Sequence, residues 1–282
     1  GGLQTLEPRI FYLYSEFKDQ SEIPVFDSSE LNFSFSQLFR EDRFSGGDRT
    51  SNADQVTLAI TTRVLNANGE ERFRASLGQL LYFEDRLVSL SNPLRNWDHR
   101  YAPLADQSAY VGEVAMRLGQ RWSFNTDFQW NEDRQEFDEG SLSLRYQGDS
   151  NHLLNVAFRY RSLPDSFVFF FPPPIDPRTK QSDVSGVWPL TDRWKLLGRI
   201  NYDHSNERNL ESFAGVEWSD CCATIRVIAR EWVDENQLFV PNKEPNGGIF
   251  VQFTLNGLGN LGGAGISNLL EDGIQGFREN NL

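Results

Sequence analysis

Hydrophobic and polar residues alternate along most of this chain with a period of two. In RWSFNTDFQW, residues 121–130, two tryptophans and two phenylalanines share one parity, and polar residues dominate the other. Successive strand residues point to opposite faces of a sheet, so this period predicts strands with an apolar face and a polar face. The parity is poor in 180–189, and Ile228 lies on the polar face of its segment. Twelve strands are predicted, at 5–15, 54–65, 70–84, 109–118, 121–130, 138–147, 152–162, 180–189, 193–203, 209–218, 222–233 and 246–257.

Aromatic residues on the apolar parity stand near the ends of these strands. Rings at both ends of an apolar strip form the interfacial girdles of a β-barrel in lipid. A large soluble β-sandwich or barrel shows the same alternation in its core. The polar parity carries Arg and Asp in mid-strand, as a wet lumen would, and this favours the membrane interpretation. The aromatic residues are Trp122, Trp130, Tyr146, Tyr160, Trp194, Tyr202 and Trp218.

The connections between the predicted strands alternate in length. Short turns are expected at 66–69, 119–120, 148–151, 191–192 and 219–220, and between them lie mostly longer loops at 16–53, 85–108, 163–179 and 235–245, with shorter ones at 131–137 and 204–208. Short turns on one side and longer loops on the other are typical of an outer-membrane barrel. The sequence therefore predicts an all-β, antiparallel transmembrane β-barrel, with the short turns in the periplasm and the long loops outside.

Composition narrows the classes of partner and the mode of membrane insertion. The formal net charge is −13 and the pI is about 4.7, which argues against nucleic acid as a partner. No apolar run is long enough for a transmembrane helix. Mean hydropathy is −0.51 although aromatics make up 13% of the residues, and barrel strands reconcile these values because their alternation gives a weak hydropathy signal.

Candidate chemistry is sparse. The three histidines, His99, His152 and His204, are far apart, and no Cys/His cluster accompanies them, so neither a metal site nor a cofactor is expected. No GxSxG motif or evident facing acid–base pair predicts catalysis, so we expect no enzyme activity.

The two cysteines, Cys221 and Cys222, are adjacent. Neighbouring Cα atoms lie about 3.8 Å apart, whereas an unstrained disulfide needs roughly 4.4–6.8 Å. The cysteines are therefore free thiols, or each has a partner outside these residues. Their position at a predicted short turn places them in the periplasm, where disulfides form and persist.

Several stretches resemble the C-terminal half of the LptD (OstA) family of LPS-assembly outer-membrane proteins. They are LEPRIFYLY, DQSEIPVFDSS and FSQLFREDRFSGGDR within 6–49, the adjacent cysteines, and GGIFVQFTLNGLGNLG near the end of the chain. The resemblance implies that residues 1–257 are the C-terminal part of a barrel of about 26 strands, with a long extracellular loop at 16–53, and that 258–282 are a periplasmic tail. As half of such a barrel, the chain should form an open, curved sheet rather than a closed small barrel.

The same resemblance implies a function and a set of partners. Lipopolysaccharide would arrive over a periplasmic Lpt bridge that contacts an N-terminal domain outside this chain, the lipoprotein LptE would plug the lumen, and lipopolysaccharide would leave through a lateral opening. Cys221 and Cys222 would form disulfides with two N-terminal cysteines. The loop 16–53 is either an ordinary solvated loop or one that folds over or into the barrel and contacts LptE or lipopolysaccharide.

Two groups of site residues follow from this interpretation. The lateral-gate strand comprises Ile249, Phe250, Val251, Gln252, Phe253, Thr254 and Leu255, with Ile249, Val251, Phe253 and Leu255 facing lipid and the other three facing inward. The basic residues of the lumen are Arg145, Arg159, Arg161, Lys195 and Arg199, which would screen sugar and phosphate charges. The alternative function is a passive porin or nutrient transporter. Against it stand the paired cysteines and the continuation of the chain from Gly257 to Leu282 beyond the last strand.

Overall fold

The computed structural model describes residues 2–20, 22–90, 105–148, 152–162, 178–234, 245–255, 259–261 and 265–278. The strands are β1 Leu3–Ser15, β2 Ser29–Glu30, β3 Phe44–Ser45, β4 Ala53–Leu65, β5 Glu71–Tyr82, β6 Tyr110–Leu118, β7 Trp122–Asn131, β8 Glu136–Gln147, β9 Leu153–Arg161, β10 Thr179–Pro189, β11 Trp194–Asp203, β12 Arg208–Ser219, β13 Ala223–Trp232, β14 Asn246–Leu255 and β15 Gly259–Leu261. A short 3-10 helix spans Phe35–Phe39, and an α-helix, α1, spans Gly265–Gly273. None of the helices in these ranges is long and apolar enough to cross a membrane.

All twelve predicted strands are present, with ends within two residues of the predicted ones. The strands β2, β3 and β15 and the helix α1 were not predicted. The long connections at 85–108, 163–179 and 235–245 lie largely outside the described residues.

Hydrogen bonding links the long strands in the order of the chain. The order is β1-β4-β5-β6-β7-β8-β9-β10-β11-β12-β13-β14-β15, and β2 pairs with β3 in a separate ribbon. The pairs β1–β4, β4–β5 and β5–β6, and those from β10–β11 to β14–β15, are antiparallel. β1 pairs with β4 along its whole length, from Leu3 opposite Leu65 to Ser15 opposite Ala53. The all-β antiparallel prediction is confirmed. The order ends at β1 and β15, so the described sheet is not closed, as expected.

The chain divides into two compact units. The first comprises Gly1–Arg117, Asn125–Ser141 and Tyr160–Phe171, and the second comprises Leu118–Phe124, Leu142–Arg159 and Pro172–Leu282.

In the first unit, the loop 16–53 is packed against the strands. Leu38 in the 3-10 helix is completely buried with Leu80 and Val111, and four aromatic residues surround this cluster. The Thr57 hydroxyl of β4 donates to the Leu38 carbonyl over 2.7 Å. The Gln129 side chain of β7 donates to a loop carbonyl over 2.6 Å. The loop is therefore a folded cover on these strands. The aromatic residues are Phe33, Phe35, Phe39 and Tyr82.

The RFSGGDR motif, residues 43–49, closes this folded loop on itself. Gly46 has φ +81°, and a Cβ there would lie 2.6 Å from the carbonyl oxygen of Asp27, so only glycine suits the position. The Asp48 carboxylate accepts the N–H groups of Phe26 and Asp27, each over 2.7 Å. These backbone donors lower the pKa of Asp48 to about 2. The motif therefore joins the two arms of the loop.

In the second unit, the apolar face is the more exposed face of the sheet. On β11, Ile200 is 59% exposed and Leu196 is 47% exposed, whereas Leu197 on the other face is 1% exposed. On β13, Ile225 and Val227 are exposed, whereas Arg226 and Ile228 on the opposite face are buried. A soluble protein buries its apolar strand face, so this exposure is the reverse of that arrangement.

Candidate functional site: the polar face beneath the tail helix

The polar face of the second unit is covered by α1 and the residues that follow it. Four apolar residues of this tail segment point to the sheet and pack on five apolar residues that interrupt the polar parity of the strands. Gly273 permits the close approach, since a Cβ there would lie 2.9 Å from the ring of Phe213. The nine buried residues are Leu153, Val187, Leu197, Phe213, Ile228, Ile266, Leu270, Ile274 and Phe277.

A buried chain of polar side chains runs from β11 to α1. The Glu217 carboxylate accepts from Lys195 Nζ over 2.8 Å and from Arg226 Nε over 2.5 Å. Arg226 Nη1 donates to Gln252 Oε1 over 3.1 Å, and Gln252 Nε2 donates to Ser267 Oγ over 3.0 Å. Four of these residues are less than 9% exposed. The chain therefore joins β11, β12, β13, β14 and α1 with every charge balanced or hydrogen-bonded.

A second ion-pair network lies on the same face. Arg199 contacts Asp183 and Glu211, each over 2.6 Å, and Glu211 also accepts from Arg230 over 2.6 Å. The guanidinium of Arg230 lies 4.7 Å from the ring centre of Trp232. This surface is rich in charge but nearly neutral.

The predicted basic residues of the lumen differ in their surroundings. Lys195 and Arg199 are held by the carboxylates just described, and in the first unit Arg161 contacts Glu139 over 3.3 Å. Arg145 is half-buried and Arg159 is exposed. The charges of Lys195, Arg199 and Arg161 are therefore compensated by carboxylates of the protein. Screening of sugar and phosphate by this group stays a prediction.

The predicted lateral-gate strand coincides with β14. Ile249 and Val251 are 76% and 63% exposed. Gln252, on the opposite face of the strand and against α1, is 1% exposed. Phe253, Thr254 and Leu255 are half-buried. Phe250 is 37% exposed, with its ring 6.1 Å from that of Trp232. Ile249, Val251 and Gln252 differ in exposure as the predicted faces require, whereas exposure does not separate the two faces at Phe250 and Phe253–Leu255. The role of this strand as a gate stays a prediction.

Aromatic rings cluster near the short turns of the second unit. Trp122 lies 4.8 Å from Tyr146, Tyr146 lies 6.1 Å from Trp188, and His152 lies 4.9 Å from Trp188, measured between ring centres. Near the opposite strand ends, Tyr202 and His204 are 5.0 Å apart. The rings therefore mark both ends of the apolar strip. In the register, Trp194 is opposite Trp218.

Comparison with known proteins assigns the chain to a family. The family model described as LPS transport system D matches residues 1–194. This chain belongs to the LptD family. The LPS-assembly protein LptD of Ectopseudomonas mendocina is 37% identical over 303 residues, that of Pseudomonas aeruginosa strain UCBPP-PA14 is 39% identical over 293, and that of Pseudomonas putida strain GB-1 is 36% identical over 299. Each match covers 98% of this chain and 32% of the relative, so the chain spans about a third of their length.

The adjacent cysteines of this LptD-family chain lie in the short connection between β12 and β13. Cys221 and Cys222 are both exposed, and their Sγ atoms are 2.7 Å apart. The N–H of Cys221 donates to the Asp220 carboxylate over 2.8 Å. The hydrogen bond with Cys222 raises the pKa of the Cys221 thiol. Exposure leaves both sulfur atoms accessible to partners, and their pairing with an N-terminal region stays a prediction.

The tail helix and its polar links were missed by the sequence reasoning, although a signal for the helix exists. Ile266, Leu270, Ile274 and Phe277 are separated by four, four and three residues, which is the spacing of one helical face. The strand residues that contact this helical face also give a signal in the sequence. Val187 and Ile228 interrupt the polar parity of β10 and β13, and both are buried under this tail segment.

Proposed function

We propose that this chain is the C-terminal part of an outer-membrane β-barrel that delivers lipopolysaccharide to the outer leaflet through a lateral opening. The observation that carries the proposal is the reversed exposure of the sheet, in a chain of the LptD family. Exposed Ile200, Leu196 and Trp194 on one strand would be costly in water, whereas in a bilayer they meet acyl chains.

The dimensions of the apolar strip support a bilayer as the environment. Trp194 and Tyr202 are eight residues apart on β11. At about 3.4 Å per residue, and with a strand tilt of about 40°, their Cα atoms are separated by about 21 Å along the membrane normal. This is close to the apolar band of about 25 Å in outer-membrane barrels. The aromatic residues at both ends would lie at the two interfaces.

The polar face supports passage of an amphiphile. Arg199, Asp183, Glu211 and Arg230 form a nearly neutral surface that offers hydrogen bonds to sugar and phosphate without holding an anion tightly. We propose that transport needs a hydrated route and no bond chemistry, so the chain acts without a cofactor and is not an enzyme.

The complete protein would be longer than this chain, in keeping with the length of its relatives. We propose that the whole barrel has about 26 strands, that LptE plugs its lumen, and that an N-terminal domain receives lipopolysaccharide from the periplasmic Lpt bridge. Cys221 and Cys222 would tie that domain to the barrel. The exit would lie beside β14, whose residues Ile249 and Val251 face lipid.

The test is depletion and complementation in the native bacterium. Depletion of the full-length protein should reduce surface-exposed lipopolysaccharide on intact cells, with accumulation in the inner membrane. Complementation with the full-length gene should restore both quantities. If surface lipopolysaccharide stays normal while the uptake of small solutes falls, the protein is a porin or nutrient transporter and the proposal is wrong.

A further inference from the structure

The last long strand is attached to the rest of its sheet by more than its backbone ladder. β14 pairs with β13 from Asn246 opposite Trp232 to Leu255 opposite Ala223. Its Gln252 side chain, which is 1% exposed, also bonds to Arg226 on β13 and to Ser267 on α1. Both ends of this amide are therefore used.

The helix that receives Gln252 is anchored far from β14. Leu270 and Ile274 are completely buried, and they share a core with Leu153 of β9 and Leu197 of β11. Beyond α1, the Gln275 carbonyl accepts from the Asn155 side chain of β9 over 3.0 Å. The helix and the residues that follow it therefore span the polar face from β14 to β9.

The tail also covers part of the other edge of β14. The short strand β15 pairs with β14 from Phe253 opposite Leu261 to Leu255 opposite Gly259. The backbone edge at this end of β14 is already paired. The part of the edge that β15 does not pair is Asn246–Gln252, at the end of β14 where the pairing with β13 begins.

We propose that α1 is a brace that holds β14 to β9–β13, with Ser267 and Leu270 as the residues that position the strand. A lateral opening would then form along the Asn246–Gln252 edge of β14, while β13 and β14 stay together. The inference rests on the proposed function, because it specifies which side of β14 parts when lipopolysaccharide leaves.

A reversible lock tests the brace in the full-length protein. Gln252→Cys combined with Ser267→Cys replaces a 3.0 Å hydrogen bond with a disulfide between β14 and α1. The two positions lie in one tryptic peptide, Glu244–Arg278, in which mass spectrometry detects the bond as the loss of two hydrogen atoms. Each single variant is the matched control. Surface delivery of lipopolysaccharide by the oxidised double variant should at least equal that of each single variant, because the disulfide replaces the link between β14 and α1 that each single variant loses.

One result of the lock overturns the proposal. If oxidation blocks delivery and reduction restores it, α1 must leave β14 during transport, and the helix is a moving part rather than a brace. This outcome leaves the proposed function intact, because delivery by the reduced protein still depends on the barrel. Failure of the proposed function would instead appear as normal surface lipopolysaccharide in depleted cells.

A second pair of variants tests the brace without a disulfide. Leu270→Asp places a charge in the buried seat of α1, and Asn268→Asp places the same charge at an exposed position of the helix. Leu270→Asp should release the helix, which is measured as a more than tenfold faster chymotryptic cleavage after Phe277, a buried residue of the same core, and should admit large antibiotics into cells. Asn268→Asp should change neither quantity. Equal cleavage rates and an intact permeability barrier in both variants would contradict the proposal.

Discussion

Ile228 of β13 and Leu270 of α1 are both completely buried, and they belong to the same core. Ile228 lies on the polar parity of its strand, where an apolar residue breaks the alternation. Its partner comes from a helix 42 positions later in the chain. This pair explains why the alternation breaks at Ile228, because the side chain packs in the core formed with the tail.

Shortening Ile228 should destabilise the second unit. Ile228→Ala would leave a cavity under α1, at a cost of about 2–5 kcal/mol. The adjacent Val227→Ala is the control, since Val227 is 39% exposed on the apolar face and loses fewer packing contacts. The midpoint of thermal unfolding in detergent should fall clearly for the first variant and little for the second. Equal midpoints would show that the tail is not packed as described.

A charge on the apolar face of β7 should block membrane assembly. Phe124→Arg would place the charge against lipid, at about 2–4 kcal/mol near the midplane. Asn125→Arg places it on the neighbouring, polar position of the same strand, which is exposed. The yield of heat-modifiable barrel in outer membranes should fall only for Phe124→Arg. Normal yields from both variants would contradict the register.

Cys221 should become more reactive when its neighbour is removed. The pKa of the Cys221 thiol is raised by its hydrogen bond with Cys222, so less thiolate is present at a given pH. In the reduced protein at mildly alkaline pH, Cys222→Ser should therefore speed alkylation of Cys221, measured by mass spectrometry. Cys222→Ala, which leaves neither a thiol nor a hydroxyl at this position, should have at least as large an effect. An unchanged rate would show that the thiols do not interact.

Oxidation of the two cysteines in the full-length protein gives a separate prediction. Each should pair with a cysteine outside this chain, and replacement of both by serine should slow maturation of the barrel. Non-reducing gels and mass spectrometry of the mature protein check the pairing. A Cys221–Cys222 bond in the mature form would overturn it.

The folded loop 16–53 should loosen in acid. The pKa of Asp48 is lowered to about 2 by the N–H groups of Phe26 and Asp27. A lowered pKa contributes stability that is present above the pKa of an unfolded aspartate, about 4, and is lost as pH falls through about 2. Cleavage of the loop by pepsin should therefore accelerate between about pH 4 and pH 2.

The matched variants separate the hydrogen bonds of Asp48 from general acidity. Asp48→Asn should make the loop cleavable already at pH 4 and flatten the acceleration, whereas Glu22→Gln removes a carboxylate from the same loop and should leave the pH profile unchanged. An identical profile for all three proteins would show that Asp48 does not close the loop.

The sequence by itself determined the strands, the apolar and polar faces of each strand, and the family. Neighbouring residues of a strand point to opposite faces, so alternation with a period of two is a local signal. RWSFNTDFQW therefore predicts both the strand and the shared face of Trp122 and Trp130. The adjacent cysteines and FREDRFSGGDR are also local, and they sufficed for the resemblance that the family comparison confirmed.

The tertiary structure decided what covers the polar face and how its charges are used. Lys195, Glu217 and Arg226 lie on three successive strands, and only the strand register brings Glu217 between two cations. The helix α1 has a visible apolar stripe, but nothing in that stripe says which surface it covers. Burial and ion pairing depend on contacts between distant segments, whereas periodicity depends on neighbours, and so the strands were predictable and the brace was not.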